Sequence, residues 1–272
     1  MAEIAVSNIA WTNEEEPEIA KKLQELGITK VEIAPTKRWE DPTKATPKEI
    51  REYIDWWKGY GIDVVAFQSM LFARPDLKLF ESEAVRQEAV DYMNEFIRLA
   101  GDMGAQRMVF GSPKNRQRGN MELAQADEVA KNFFGALGKT AAERGVVLCI
   151  EPNAPQYNCD YITTADEGAR LVRSIGSTGI GLHLDTACMA LAGDDIGMAI
   201  RRYADILEHF HVSAPMLDHV EPRDDVDYQA AADALREVGY GKVISIEMRP
   251  GEQGKNTQRV EESVRFVQQI FS

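Results

Sequence analysis

The sequence predicts a single (β/α)8 barrel spanning residues 1–272. Three observations predict it. Eight short apolar runs alternate with helix-like stretches, over a length that one such barrel ordinarily occupies. No tract rich in Pro, Gly or Ser divides the chain, so the repeat reads as one domain with a parallel sheet and helical crossovers. The early Gly-rich turn of an open dinucleotide-binding sheet is missing, which also removes NAD from the expected cofactors.

The elements follow in order. Ile4 to Ile9 is strand-like, and Glu14 to Leu26 carries Ile19, Leu23 and Leu26 on one helical face before Gly27 stops it. Lys30 to Ala34 is the second strand. Pro47 to Tyr60 is the second helix, with Thr46 as N-cap and Gly61 as stop. Ile62 to Gln68 is the third strand. The helix after it, about Glu81 to Ala100, has a buried face of Ala89, Met93, Phe96, Ile97 and Ala100. Arg107 to Ser112 is the fourth strand, and Glu122 to Arg144 is its helix. Val146 to Asn153 is the fifth strand stretch, opening on five apolar residues that are rich in β-branched types and too few for a helix, and running into Glu151. Thr164 to Ile175, capped by Thr163 or Thr164, follows it. Gly179 to Asp185 and a weaker helix, Ile196 to Tyr203, make the sixth unit. Glu208 to Val212 and Tyr228 to Val238 make the seventh, and Val243 to Glu247 and Thr257 to Ile270 the last.

Composition excludes several classes. A formal net charge of -13 argues against a groove that tracks a nucleic-acid backbone. The apolar runs are too short to span a membrane, and the N-terminus has no signal-like pattern, so a cytoplasmic location is expected. Cys149, Cys159 and Cys188 lack the paired spacing of disulfides or zinc knuckles and read as reduced thiols. Lys114, Arg116 and Arg118 form a local basic cluster, read either as contacts for a small anion or, slightly ahead, as a solvated loop face.

Four strand-like runs end in, or carry, groups that a buried strand has no structural need for: Glu151, Asp185, His211 and Glu247. Functional residues of such a barrel sit at the C-terminal strand ends, and adjacent strands lie about 4.8 Å apart. Four neighbouring ends can therefore surround one divalent ion with a hard, mostly oxygen ligand set. Each residue alone reads equally well as a helix cap or loop ion pair; the four together favour the metal. By strand parity His183 and His209 point inward one layer below and read as hydrogen-bonded core histidines.

These residues resemble the motifs of the xylose isomerase-like TIM-barrel superfamily of sugar isomerases and epimerases. The carriers are Ile150-Glu151-Pro152-Asn153, Leu184-Asp185-Thr186, His211-Val212-Ser213 and Ile246-Glu247-Met248-Arg249, and the likeness covers essentially the whole chain. The resemblance implies one divalent metal, Mn2+, Co2+, Mg2+ or Zn2+, on Glu151, Asp185, His211 and Glu247, with the two glutamates also moving the proton. Ketose 3-epimerases of the superfamily carry a histidine three residues after the metal aspartate and an arginine in the loop after strand seven. This chain has Cys188 and Ala214 to Leu217 there, a departure that points away from a ketose 3-epimerase and leaves the metal site intact.

Metal and base together suit enediolate chemistry: Glu151 and Glu247, three strands apart, can flank a substrate and act as catalytic acid and base. Trp11, Glu32, Gln68, Lys114, Asn153, Cys188, His219 and Arg249 are the candidate substrate contacts. Trp11 reads equally well as packing, Cys188 better as a small filler than as a nucleophile, and His219 equally well as a solvated loop residue. The expected function is a metal-dependent isomerase or epimerase of a sugar, polyol ketone or related hydroxy-carbonyl compound. The alternatives are a dehydratase using the same enediolate and a non-catalytic sugar-binding barrel. The expected partner is a small molecule, with neither nucleic acid nor membrane, and a homo-oligomer is left open.

Overall fold

The computed structural model describes residues 2–271. Eight parallel strands close on themselves in sequence order: β1 (Glu3–Ser7), β2 (Lys30–Ile33), β3 (Asp63–Phe67), β4 (Arg107–Phe110), β5 (Val147–Ile150), β6 (Ile180–Asp185), β7 (Leu207–Ser213) and β8 (Val243–Glu247), with β1 pairing β8. The (β/α)8 barrel read from the sequence is therefore the fold. Among the described residues ten helices surround it: α1 (Glu16–Glu25), α2 (Pro35–Arg38), α3 (Pro47–Lys58), α4 (Glu83–Met103), α5 (Leu123–Glu143), α6 (Ala165–Ile175), α7 (Thr186–Ala192), α8 (Ile196–Tyr203), α9 (Tyr228–Glu237) and α10 (Asn256–Phe271).

Local chemistry sets the ends. Thr46 and Glu49 form a reciprocal capping box at α3, with Pro47 in the first turn where its missing N–H costs nothing. Thr164 caps α6 by accepting from the Glu167 amide at 3.3 Å. The expected strand at Ile4 to Ile9 stops earlier, because Ser7 caps a 3-10 turn at Asn8–Ala10. The short helix α7 is an addition to the sequence reading: Asp185 ends β6 and immediately caps α7 by accepting from the Cys188 amide at 2.6 Å.

The core fills both the barrel and the layer between sheet and helices. α4 turns Met93, Phe96, Ile97 and Ala100 inward, and α5 turns Phe133, Phe134, Leu137 and Ala141. Burying each large apolar side chain contributes roughly 1.5–3 kcal/mol. Some contacts leave no room for a side chain: a Cβ on Gly179 would overlap the backbone of α5. Two register shifts break the otherwise regular barrel, at Val31/Glu32 against β3 and at Leu182/His183 against β7. Both lie just below the C-terminal rim. No described helix is long and apolar enough to cross a membrane.

Candidate active site

At the C-terminal rim, Glu151 follows β5, Asp185 and Glu247 end β6 and β8, and His211 lies in β7. The barrel brings ligand atoms of all four within 4.8 Å of one another. His211 is fully buried and the three carboxylates nearly so.

The chemistry of this donor set fits a divalent cation. Three carboxylates crowded in a buried space repel one another unless protonated or paired with a cation. Burial, followed by the charges of Glu247 and Asp185, pushes the Glu151 carboxyl up to about 8. Burial and Glu247 likewise raise Asp185, although Ser213 Oγ donates to its Oδ2 at 2.5 Å. His211 points the same way. Its Nε2 lies 2.9 Å from Glu32 Oε2, while its Nδ1 has no hydrogen-bond partner and lies 3.4 Å from Glu247 Oε2. A neutral imidazole that donates through Nε2 leaves Nδ1 free as a metal ligand.

Beneath the ligands lies a polar layer of Glu32, His183 and His209, all without exposure. Glu32 Oε2 is also 3.4 Å from His209 Nε2. Burial works against its charge, but His211 and His209 outweigh that and hold the carboxyl well below its ordinary range. Burial also works against a charged His211, and there Glu32 and Glu247 prevail and raise it well above the ordinary value. Burial dominates for His183 and His209, which are both lowered.

A cavity of about 200 Å3 opens above the cluster, lined by Glu151, Asp185 and Glu247 and by Gln68, Ser69, Gly111, Asn153, Tyr157, Cys188 and Leu217 among others. Ser69, Ser112 and Leu217 around it hold positive φ angles of 57°, 46° and 55°. Strained backbone of this kind persists where surrounding structure over-determines it, and it concentrates at functional sites. A larger hollow of about 680 Å3 lies at the opposite, N-terminal mouth, away from the carboxylates.

Of the substrate contacts expected from the sequence, Gln68, Asn153 and Cys188 line the cavity. The other five stand elsewhere. Trp11 is packed in the hydrophobic core with no exposure. Glu32 is sealed below the ligands, fully buried in β2 beside the register shift at Val31/Glu32. Lys114 is exposed on its loop. His219 packs between Glu221 and Glu262, its Nε2 3.1 Å from the carbonyl of Arg259. Arg249 is exposed because β8 ends at Glu247. The solvated reading of the basic cluster fails for Arg116, which is 1% exposed. Tyr157, Leu217 and Ser213 were missed: the first two lie in loops whose side-chain direction no periodicity reports, whereas Ser213, two residues past His211 on β7, shares its inward face and the same parity argument finds it.

The profile of the family described as "Xylose isomerase-like TIM barrel" matches residues 20–270. An L-ribulose 3-epimerase from Mesorhizobium japonicum is 29% identical over 167 residues, 61% of this chain and 55% of that protein. The chain thus spans about half the length of that relative. An inosose dehydratase from Lacticaseibacillus casei is 23% identical over 279 residues, covering 90% of this chain and 89% of the other. Among solved structures, a D-psicose 3-epimerase in the presence of D-fructose superposes with a TM-score of 0.82 at 18% identity, over 99% of both chains, a likeness of fold.

Proposed function

The chain belongs to the xylose isomerase-like TIM-barrel family, and from that premise we propose that it is a divalent-metal-dependent isomerase or epimerase of a small sugar, polyol ketone or related hydroxy-carbonyl compound. Glu151, Asp185, His211 and Glu247 would hold the metal. Bound there, a divalent ion supplies Lewis-acid stabilisation for negative charge developing on a substrate oxygen. The observation that carries the reading is that Glu151 and Glu247 both line the cavity, from β5 and β8.

Each glutamate has two oxygens, so one can face the cation while the other faces the substrate carbon. Glu151 removes the proton next to the carbonyl, and Glu247 returns one from the opposite side. With a cation held there, Glu151 and Glu247 would stay charged, so that the base is competent near neutral pH. Gln68 and Asn153 orient the hydroxyls. The Leu217 side chain on the wall offers no hydrogen bonding, which favours a substrate with an apolar edge there. At about 200 Å3 the cavity lies below the ~300–1,000 Å3 of drug-sized sites, which fits a molecule no larger than a monosaccharide.

A second reading is dehydration of a polyol ketone, and the match to an inosose dehydratase over 90% of the chain favours it. The same proton abstraction begins both reactions. The test is incubation of metal-loaded protein in D2O with L-ribulose, D-psicose, an inosose and simple aldoses, reading deuterium at carbon by NMR. Exchange that requires metal and is lost in Glu151→Gln supports the proposal, and an alkene absorbing in the ultraviolet selects the dehydratase. Bound metal with no exchange from any compound leaves a sugar-binding barrel.

A further inference from the structure

The loop after β4 holds a buried guanidinium that the proposed reaction does not use. Arg116 is 1% exposed, and among the described residues it forms no ion pair. A buried, unpaired charge is costly, so its contacts need a reason. Its Nη2 donates to Asn153 Oδ1 at 2.8 Å and approaches the Ile162 carbonyl at 3.4 Å, while Nε and Nη1 find no protein partner. That same Ile162 carbonyl accepts from the Asn153 amide at 3.1 Å, with Ile162 at φ 60°. A β-branched residue at positive φ is a conformational outlier.

The surroundings hold Arg116 in this position. Asn115 donates to the carbonyls of Arg74 and Leu77 at 2.8 and 3.0 Å, which ties the loop to its neighbour after β3. Asp160 accepts from the backbone amides of Arg118 and Gly119 at 2.6 and 2.8 Å, which ties it to the loop after β5. Gly111 lets the same loop close over the site: a Cβ there would overlap Glu151 Oε2 and stand 3.2 Å from Asn153 Oδ1.

We propose that Arg116 is a positioning residue that locks the Asn153 side chain so that its amide N–H groups point into the cavity and donate to a substrate oxygen beside Glu151. This rests on the function proposed above. A guanidinium has donors only, so the atom facing it must be the Asn153 oxygen. The Asn153 nitrogen then faces the other way, 3.6 Å from Cys188 Sγ, which itself lies 4.0 Å from Glu151 Oε1. Asn153 without Arg116 can flip and present its oxygen instead, which repels an acceptor. The lock thus selects substrates that place a lone pair, rather than an apolar group, over that corner.

The test uses 15N-labelled, Mg2+-loaded protein, with the Asn153 side-chain amide signal identified by its loss in Asn153→Asp. Wild type and Arg116→Lys, which keeps a donor, should show one ordered amide pair, and Arg116→Met should shift or broaden it. Any of L-ribulose, D-psicose or an inosose that exchanges deuterium should move that pair on binding. For that sugar Arg116→Met should raise KM about tenfold, the order of one lost hydrogen bond, with kcat and Mg2+ affinity little changed and Arg116→Lys partly restoring KM. An unchanged Asn153 signal in Arg116→Met, or an amide that ignores an exchanging sugar, overturns the proposal. If no sugar exchanges with wild type, the proposed function fails. The variant spectra then still decide the lock, and an unmoved amide pair on adding each sugar rejects its role toward substrate.

Discussion

Glu32 Oε2 stands 2.9 Å from Nε2 of His211, at a depth where neither side chain meets solvent. A carboxylate on β2 thus sets the tautomer and ring orientation of a proposed ligand on β7, across the barrel. Glu32→Gln should weaken metal binding by about 10–100-fold, as loss of such supporting partners typically does. Chelator competition against wild type measures it. Glu32→Ala, which strands two buried histidines, should also lower stability by roughly 3–5 kcal/mol, read by urea denaturation of the metal-free protein.

Metal affinity should rise with pH through about 8, since burial and the neighbouring carboxylates raise the Glu151 carboxyl to that value, His211 is raised well above its ordinary value, and the cation must displace both protons. Calorimetric titration in buffers of different ionisation heat should show protons released near neutrality, and the number released should fall as pH rises above 8.

The stability of the metal-free protein should move the other way. Glu151 and His211 both have folded values above their ordinary ones. The folded state therefore holds more protons than the unfolded state, and stability falls as pH rises through those values. The lowered His183 and His209 act in the opposite sense only near and below their ordinary value of 6.5. Between pH 7 and 9, then, the melting temperature of the metal-free protein should drop while the increment added by metal grows.

Gly111→Ala should keep the barrel and damage the site, because the new methyl group displaces the Glu151 carboxylate. Circular dichroism should be near wild type while metal affinity falls at least tenfold. Gly179→Ala meets backbone instead and should cost stability directly, by about 1–3 kcal/mol. A wild-type metal affinity in Gly111→Ala would mean that Glu151 is not held as described.

All three thiols are buried, with Cys149 pushed up to about 12 by burial and Cys188 raised well above its ordinary value for the same reason. The native protein should leave a disulfide reagent almost unreacted at pH 7, and the denatured chain should consume three equivalents.

The barrel was legible because its signals are local and repeated: apolar runs of strand length, capped helices, and glycines where helices stop. The proposed ligands were legible because four carboxylate or imidazole groups recur at neighbouring strand ends, a coincidence that helix caps and loop ion pairs taken singly do not require. Residues set by loop path or register were not. The tryptophan at position 11 and the histidine at 219 belong to loops, where composition does not tell packing from contact. Arg116 sits in a run of basic residues that reads as solvated, yet the chain turns it inward. Glu32 faces the barrel interior beside a one-residue register irregularity that no local pattern in the sequence reports.

The four proposed ligands come from β5 to β8, while Gln68, Ser69, Val109, Gly111, Ser112 and Pro113 reach the cavity from the segments after β3 and β4 or from β4 itself. The chain is thereby split into a C-terminal half that carries the proposed ligands and an N-terminal half that shapes much of the opposing wall. Grafting segments 68–82 and 112–122 from another barrel of this architecture, with Gly111 kept because a side chain there would push on Glu151, could then retarget the catalyst while leaving the four proposed ligands in place, a modularity that makes this scaffold a natural candidate for half-barrel recombination.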